Sequence, residues 1–198
     1  MIFGLTGKLG AGKNEAARRL ALISPIPVVE VSYAAKLKES VAALFGITLD
    51  QIEEWKNDPL RRVLAGDPCA TFGGDAASEV DMTFRQFLQR YGTEAHRDVF
   101  GQDFWLDAAL PLNYGRYNVD GSLYVVTDCR FPNEAKRIKE LGGWVIRIIG
   151  PNDETGDHPS ETQEIPYDWK ILNTVRDDEF DYLDSQLHTL LSVAGVSE

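Results

Sequence analysis

Eight residues near the amino terminus, Gly7-Lys8-Leu9-Gly10-Ala11-Gly12-Lys13-Asn14, set three glycines and a lysine at G-x-x-x-x-G-K spacing. Phosphate oxygens need several N–H donors converging on one point, and only a backbone with little side-chain bulk wraps that closely. Gly7, Gly10 and Gly12 supply the freedom, and a helix starting near Lys13 turns its positive end to the anion. Lys13 then reaches the β and γ phosphates of a nucleoside triphosphate. A glycine turn matches this spacing by chance as well. Its position decides: an apolar strand precedes it and a helix follows. The Ser or Thr that ordinarily follows the lysine and carries a Mg²⁺-binding hydroxyl is replaced by Asn14, whose amide oxygen is also a hard ligand, directly or through water.

Composition limits the partners. The chain has 198 residues, enough for one buried core plus an inserted subdomain. Its 20 Lys and Arg against 31 Asp and Glu give a formal charge of -11. That balance argues against sequence-independent nucleic-acid binding, which needs a basic surface to displace counterions. A small anion is still accommodated where local cations and N–H groups reverse the sign inside a cleft. Cys69 and Cys129 form no CxxC pair and read as reduced thiols of a cytosolic protein. His96, His158 and His188 lack metal-ligand spacing, so no dedicated zinc site is expected. Ile2-Phe3-Gly4-Leu5 is too short to span a membrane and reads as a buried first strand. The expectation is a cytoplasmic protein with no membrane or nucleic-acid partner.

The elements that must position these residues alternate short apolar runs with amphipathic stretches, the pattern of a parallel sheet covered by helices. Strands are expected at Ile2 to Thr6, Pro27 to Val31, Leu123 to Thr127, Trp144 to Ile149 and Trp169 to Leu172. Ser32 is placed to cap a helix whose apolar positions Ala34, Leu37, Val41 and Leu44 lead to Gly46. The alternation then breaks. Thr48 to Lys56 looks helical, Gly66 to Asp81 reads as a mobile loop, and Thr83 with Gln86 has capping-box spacing for a helix closed by Gly92. Helical segments follow at Glu94 to Val99 and Asp103 to Leu110. Asp120-Gly121 makes a turn, Pro132 opens a helix ending at Gly142-Gly143, and a last amphipathic helix carries Phe180, Leu183, Leu187 and Leu191. Asn152 to Pro166 is polar with little periodicity, as a lid would be.

Several downstream blocks occur in a telling order. They are Lys36 in Ala34-Ala35-Lys36-Leu37-Lys38, Arg85 to Glu94 with Arg97 and Trp105, and Thr127-Asp128-Cys129-Arg130-Phe131-Pro132-Asn133-Glu134-Ala135. With His158-Pro159-Ser160-Glu161 and Ile171-Leu172-Asn173, they resemble the bacteriophage deoxynucleoside monophosphate kinases over nearly the full length. The resemblance implies an α/β P-loop kinase fold with a five-stranded parallel sheet flanked by helices. It places the core at about 1–47 and 118–198, a helical monophosphate-binding insertion at about 48–117 and a lid at about 150–166.

The resemblance also implies roles. The loop residues Gly7 to Asn14, with Asn173, would bind ATP; Lys36, Arg85 and Arg97 would hold the acceptor phosphate. Gln89, Gly92 and Thr93 would meet the acceptor base or sugar, and Trp105 would stack on a base or fill the core. Asp128 follows a buried strand at the carboxyl edge of the sheet, where it would orient Mg²⁺ through water or contact the sugar. Arg130 would bridge donor and acceptor phosphates, and Glu134 would position Arg130 or bind substrate. His158, Ser160 and Glu161 would be lid contacts. Relatives commonly carry Arg-Pro where this chain has Gly150-Pro151, so a cation is missing there, with Arg147 or Lys170 as substitutes.

The implied reaction is transfer of the ATP γ-phosphate to a dNMP, with Mg²⁺ as cofactor, in a host cytoplasm; a homodimer is left open. Two alternatives stay open: a P-loop kinase of another metabolite such as dephospho-coenzyme A, and a nucleotide-binding module without transfer activity. A GTPase switch is disfavoured by the lack of an NKxD-type motif. If Asn14 is a magnesium ligand, Asn14→Ser shifts the magnesium dependence of nucleotide turnover in a metal titration; an unchanged curve would leave Asn14 without a part in metal binding.

Overall fold

The computed structural model describes residues 1–8, 10–63, 82–110, 121–150, 165–174 and 180–196. The chain divides into two compact units, Met1–Ser32 with Ala109–Glu198, and Tyr33–Ala108. Among the described residues no helix is long and apolar enough to cross a membrane. Leu9, Cys69, Asp120, the expected loop at 66–81 and the expected lid contacts His158, Ser160 and Glu161 lie outside the described residues.

The first unit is a parallel sheet of β1 (Ile2–Thr6), β2 (Val28–Val31), β3 (Leu123–Val126), β4 (Trp144–Ile149) and β5 (Trp169–Leu172) in the order β2-β3-β1-β4-β5. Parallel neighbours need long crossovers, and helices α1 (Lys13–Ile23), α7 (Pro132–Glu140) and α8 (Asp181–Val193) belong to this unit. The central strand β1 is apolar up to its last residue, Thr6, and fully buried, as a strand covered on both faces is. Phe3 and Leu5 of β1, Ile146 and Ile148 of β4 and Ile171 of β5 pack with Leu20 of α1 and Leu183, Leu187 and Leu190 of α8. Hydrophobic burial of this kind is the main force holding the sheet to its helices. β2 forms the edge and leaves Val29 and Glu30 exposed.

The second unit contains α2 (Tyr33–Phe45), α3 (Leu49–Asn57), α4 (Phe84–Gly92), α5 (Asp98–Phe100) and α6 (Phe104–Ala109, its last residue excepted). Thr48 and Thr83 each accept from the backbone three residues on, and Gln51 and Gln86 reach back to them, so the expected capping box at Thr83 is formed and a second one opens α3. The core is Val41, Ile52, Val63, Phe84, Phe87 and Leu88, with Phe84 edge-on to Phe45 and to Trp55. Two expectations are corrected here. The inward stripe of α2 runs Tyr33, Leu37, Val41 and Phe45, at every fourth residue, while Ala34 and Leu44 are exposed. Gly92 is the last residue of α4 but not a left-handed terminator: its φ of -69° and ψ of -37° are helical, and the chain continues through a π-turn at Thr93–Arg97 into α5. Ser32, expected to cap α2, donates through Oγ to Asp128 Oδ2 at 2.8 Å.

A polar tie fastens α1 to α8. Arg19 Nε donates to Asp184 Oδ1 at 2.7 Å and Nη2 donates to Oδ2. Those hydrogen bonds hold the Asp184 carboxyl below its ordinary value, against the opposing effect of burial. A depressed carboxylate stabilises the fold above its unfolded pKa of about 3.9, and that stabilisation is lost as pH falls through the lower folded value. Asp184→Asn is therefore expected to lower the melting temperature at neutral pH, with the gap to the parent protein narrowing in thermal melts as the pH falls below the ordinary carboxylate range.

Candidate functional site

The glycine loop lies between β1 and α1, as its sequence position requires. Gly7, Gly10 and Gly12 have φ of 144°, 79° and 89°, the left-handed half of conformational space that side chains disfavour. The loop also packs backbone to backbone against the neighbouring strand: a Cβ on Gly7 would collide with Ile148 O of β4. Lys13 folds back over the loop, its Nζ donating to Gly7 O at 2.5 Å and Lys8 O at 2.8 Å. That contact fixes an ammonium over the glycine backbone. The start of α1 carries no side-chain cap, in contrast to α3 and α4. An uncapped first turn keeps its N–H groups for an anion. Asn14 sits in that first turn and is exposed.

Next to the loop's strand, β3 ends at Val126, and the chain turns through Thr127 and Asp128. Thr127 N donates to Val31 O at 3.0 Å, extending the β2–β3 pairing by one residue. Ser32, just past β2, is thereby brought to Asp128. Its hydroxyl fixes one carboxylate oxygen. Glu134 is 2 % exposed, and its Oε2 accepts from Arg130 N at 2.6 Å and from Phe131 N at 3.0 Å. It is thus a buried anion that satisfies the entrance of α7 and pins the backbone of Arg130, whose own side chain is exposed. Cys129 between them is a buried thiol; burial foremost, then the Glu134 and Asp128 carboxylates, push its pKa up. Such a thiol is inert.

Asn173 is buried beside the loop and its Nδ2 donates to Ala11 O at 3.0 Å. Gly150, where a cation was expected, meets the loop itself, since a Cβ there would come within 2.7 Å of Ala11 Cα. No side chain fits at that place without moving the loop. Arg147, a proposed substitute, points its guanidinium at the Tyr167 ring, 5.7 Å from the centroid. Lys170 lies on the edge strand β5 and is exposed.

In the second unit, Lys36 is exposed and pairs with Glu39 at 2.7 Å. Arg85 is exposed too, its Nε donating to Lys56 O at 3.1 Å and Nη2 to Asn57 Oδ1 at 3.0 Å at the end of α3. Gln89 and Thr93 are exposed, Arg97 half-buried. Trp105 takes the second of its two expected places, the core, and Gly92 packs against its own unit. Trp105 is 5 % exposed and donates from Nε1 to Gly92 O at 3.0 Å, so the ring is part of the unit's packing and offers no open face. A Cβ on Gly92 would meet Leu37 Cδ1 at 2.5 Å, so this glycine lets α2 approach α4. Ser32, singled out only as a helix cap, and Gln186, not singled out at all, hold chain ends beside the loop. Their signal is topological: Ser32 ends the strand paired with β3, and Gln186 Oε1 accepts from Leu172 N at the end of β5.

Two comparisons bear on this arrangement. The family profile for deoxynucleotide monophosphate kinase matches residues 74–178. A putative deoxynucleotide monophosphate kinase of Acanthamoeba polyphaga mimivirus is 31% identical over 192 residues, covering 91% of this chain and 92% of the relative. The chain belongs to the deoxynucleotide monophosphate kinase family. The deoxynucleoside-5'-monophosphate kinase of Escherichia phage T5 is 25% identical over 123 residues, 54% of this chain and 48% of that one. The protein is accordingly a kinase with a P-loop fold.

Glu134 gives this family member a direct structural test. Glu134→Ala leaves two backbone N–H groups without their acceptor and is expected to cost about 1–3 kcal/mol in urea unfolding, whereas Glu134→Gln, which keeps an oxygen, costs less. Equal stability of the alanine variant and the parent would contradict the pinning role.

Proposed function

We propose that this kinase transfers the γ-phosphate of ATP to a deoxynucleoside monophosphate, giving ADP and the deoxynucleoside diphosphate. The observation that carries the reading is Lys13 held over a glycine loop at the uncapped start of α1. Membership of the family and the names of its relatives supply the acceptor class. An acceptor phosphate has a second pKa of about 6 and is mostly ionised at neutral pH, so it attacks without a general base. One of its oxygens bonds to the γ phosphorus while the bond from that phosphorus to the β–γ bridging oxygen breaks. The bridging oxygen keeps the electron pair and departs on ADP. Lys13 follows the charge that develops there, and Arg130, with its backbone pinned by Glu134, neutralises the two anions.

Mg²⁺ fits the donor set. Among the described residues no cluster of three His, Cys, Asp or Glu could cage a metal, which suits an ion held by one or two protein oxygens, phosphates and water. Asn14 and Asp128, the latter held by Ser32, are the oxygens we assign to it. When bound, the ion neutralises phosphate charge. In the second unit, Lys36, Arg85 and Arg97 are assigned to the acceptor phosphate, and Gln89 and Thr93 to its base or sugar. Arg85 would then exchange its contacts with Lys56 O and Asn57 for phosphate oxygens, which a guanidinium fork accepts two at a time.

The test is ADP release from ATP and Mg²⁺ with each dNMP and NMP in turn. Some dNMP is expected to stimulate release, and Lys13→Ala is expected to lower it at least about a hundredfold. Failure of every monophosphate to raise ADP formation would overturn the proposal.

A further inference from the structure

Asn173 is the first residue past β5, and its backbone N–H prolongs the β4–β5 ladder by donating to Ile149 O at 2.8 Å. The end of that strand is held from α8 as well. The Gln186 carboxamide accepts from Leu172 N and donates to Leu172 O, each at 2.9 Å. The backbone of Asn173 is therefore fixed by a strand on one side and a helix on the other. Its side chain is 8 % exposed and sends Nδ2 to Ala11 O at 3.0 Å. The acceptor is a carbonyl, so the amide must present its NH₂ end to the loop.

The neighbouring residues are shaped to this contact. A Cβ on Gly12 would collide with Asn173 Nδ2, and one on Gly150 would crowd Ala11 Cα. Ala11–Gly12 is the peptide that leads into Lys13 and the first turn of α1. In a planar trans peptide the C=O and N–H point in opposite directions. Holding Ala11 O on Asn173 therefore aims the Gly12 N–H away from Asn173.

We infer that Asn173 is a positioning residue of the phosphate site: by anchoring Ala11 O it orients the Gly12 N–H and the start of α1 toward the triphosphate, and it makes no contact with the nucleotide base. The inference rests on the loop being the ATP site and deepens that reading. It also gives the β4 and β5 ends a common purpose, since Gly150 and Asn173 together set the height of the Ala11–Gly12 turn over the sheet.

Calorimetric titration of the folded protein with Mg²⁺-ATP and with Mg²⁺-tripolyphosphate, which has no base or sugar, tests it. Asn173→Ala removes the donor and the bulk; Asn173→Leu removes the donor and keeps bulk against Gly12. Both are expected to weaken both ligands alike by about tenfold, the scale of one lost hydrogen bond. Weaker ATP with unchanged tripolyphosphate would show a direct base contact and overturn the inference. So would retained affinity in the leucine variant, which would make Asn173 a space-filler, or no loss in either. Binding is read, not turnover, so the identity of the acceptor does not enter. A parent protein that binds neither ligand would overturn the phosphate site itself.

Discussion

The first unit is organised around one steric requirement, that no Cβ stands where the glycine loop meets the ends of β4 and β5. Gly7 lies on Ile148 O, Gly12 on the Asn173 amide, and Gly150 on Ala11. Two positions in the loop and a third at the end of β4 must lack a Cβ for the loop to sit where it does. The strand order makes this possible: β1 is central, β4 is beside it and β5 beyond, so two strands deliver their carboxyl ends to one side of the loop. The apolar packing of Leu20, Ile146, Ile148, Leu183 and Leu187 then fixes the height of α1 and α8 over those strands. The loop's polar contacts are specific only because that core is rigid.

Charge is managed locally rather than globally. A chain with net charge -11 would repel a triphosphate; at the loop proposed to bind one stand Lys13 and the N-terminal dipole of α1, with Glu15 of that first turn paired to Arg18. The nearby carboxylates are each engaged: Asp128 accepts from Ser32, and Glu134 is buried on the backbone of Arg130 and Phe131. Glu134 therefore satisfies the entrance of α7, while α1 starts without a side-chain cap. The uncapped start of α1 is compatible with the anion site proposed there. The proposed chemistry needs no general base because its acceptor phosphate is already ionised, and it depends on placing charges rather than moving protons.

Much of this was legible along the chain. β1, β4 and β5 fall where apolar runs between glycines and prolines put them, and the expected capping box at Thr83 formed, because these signals are local. The resemblance drawn from Arg85 to Trp105 and Thr127 to Ala135 gave the family. What sequence did not reveal depends on contacts distant in the chain. Gly92 looks like a helix terminator, yet it is a point of close approach to Leu37, and the helix runs on. Trp105 stood between stacking and the core until its indole N–H was placed on Gly92 O. The face of α2 shifted because Tyr33 and Phe45, not Ala34 and Leu44, meet the core. The loss of a cation at Gly150 became intelligible only when Ala11 was found against it.

The most direct measurement of the proposed transfer follows the phosphorus atom. The protein is incubated with γ-³²P-labelled ATP, Mg²⁺ and a deoxynucleoside monophosphate, and the products are separated by chromatography. Label is expected to appear in the deoxynucleoside diphosphate in step with ADP. Label released only as inorganic phosphate, with the monophosphate unchanged, would contradict transfer and leave a nucleotide hydrolase.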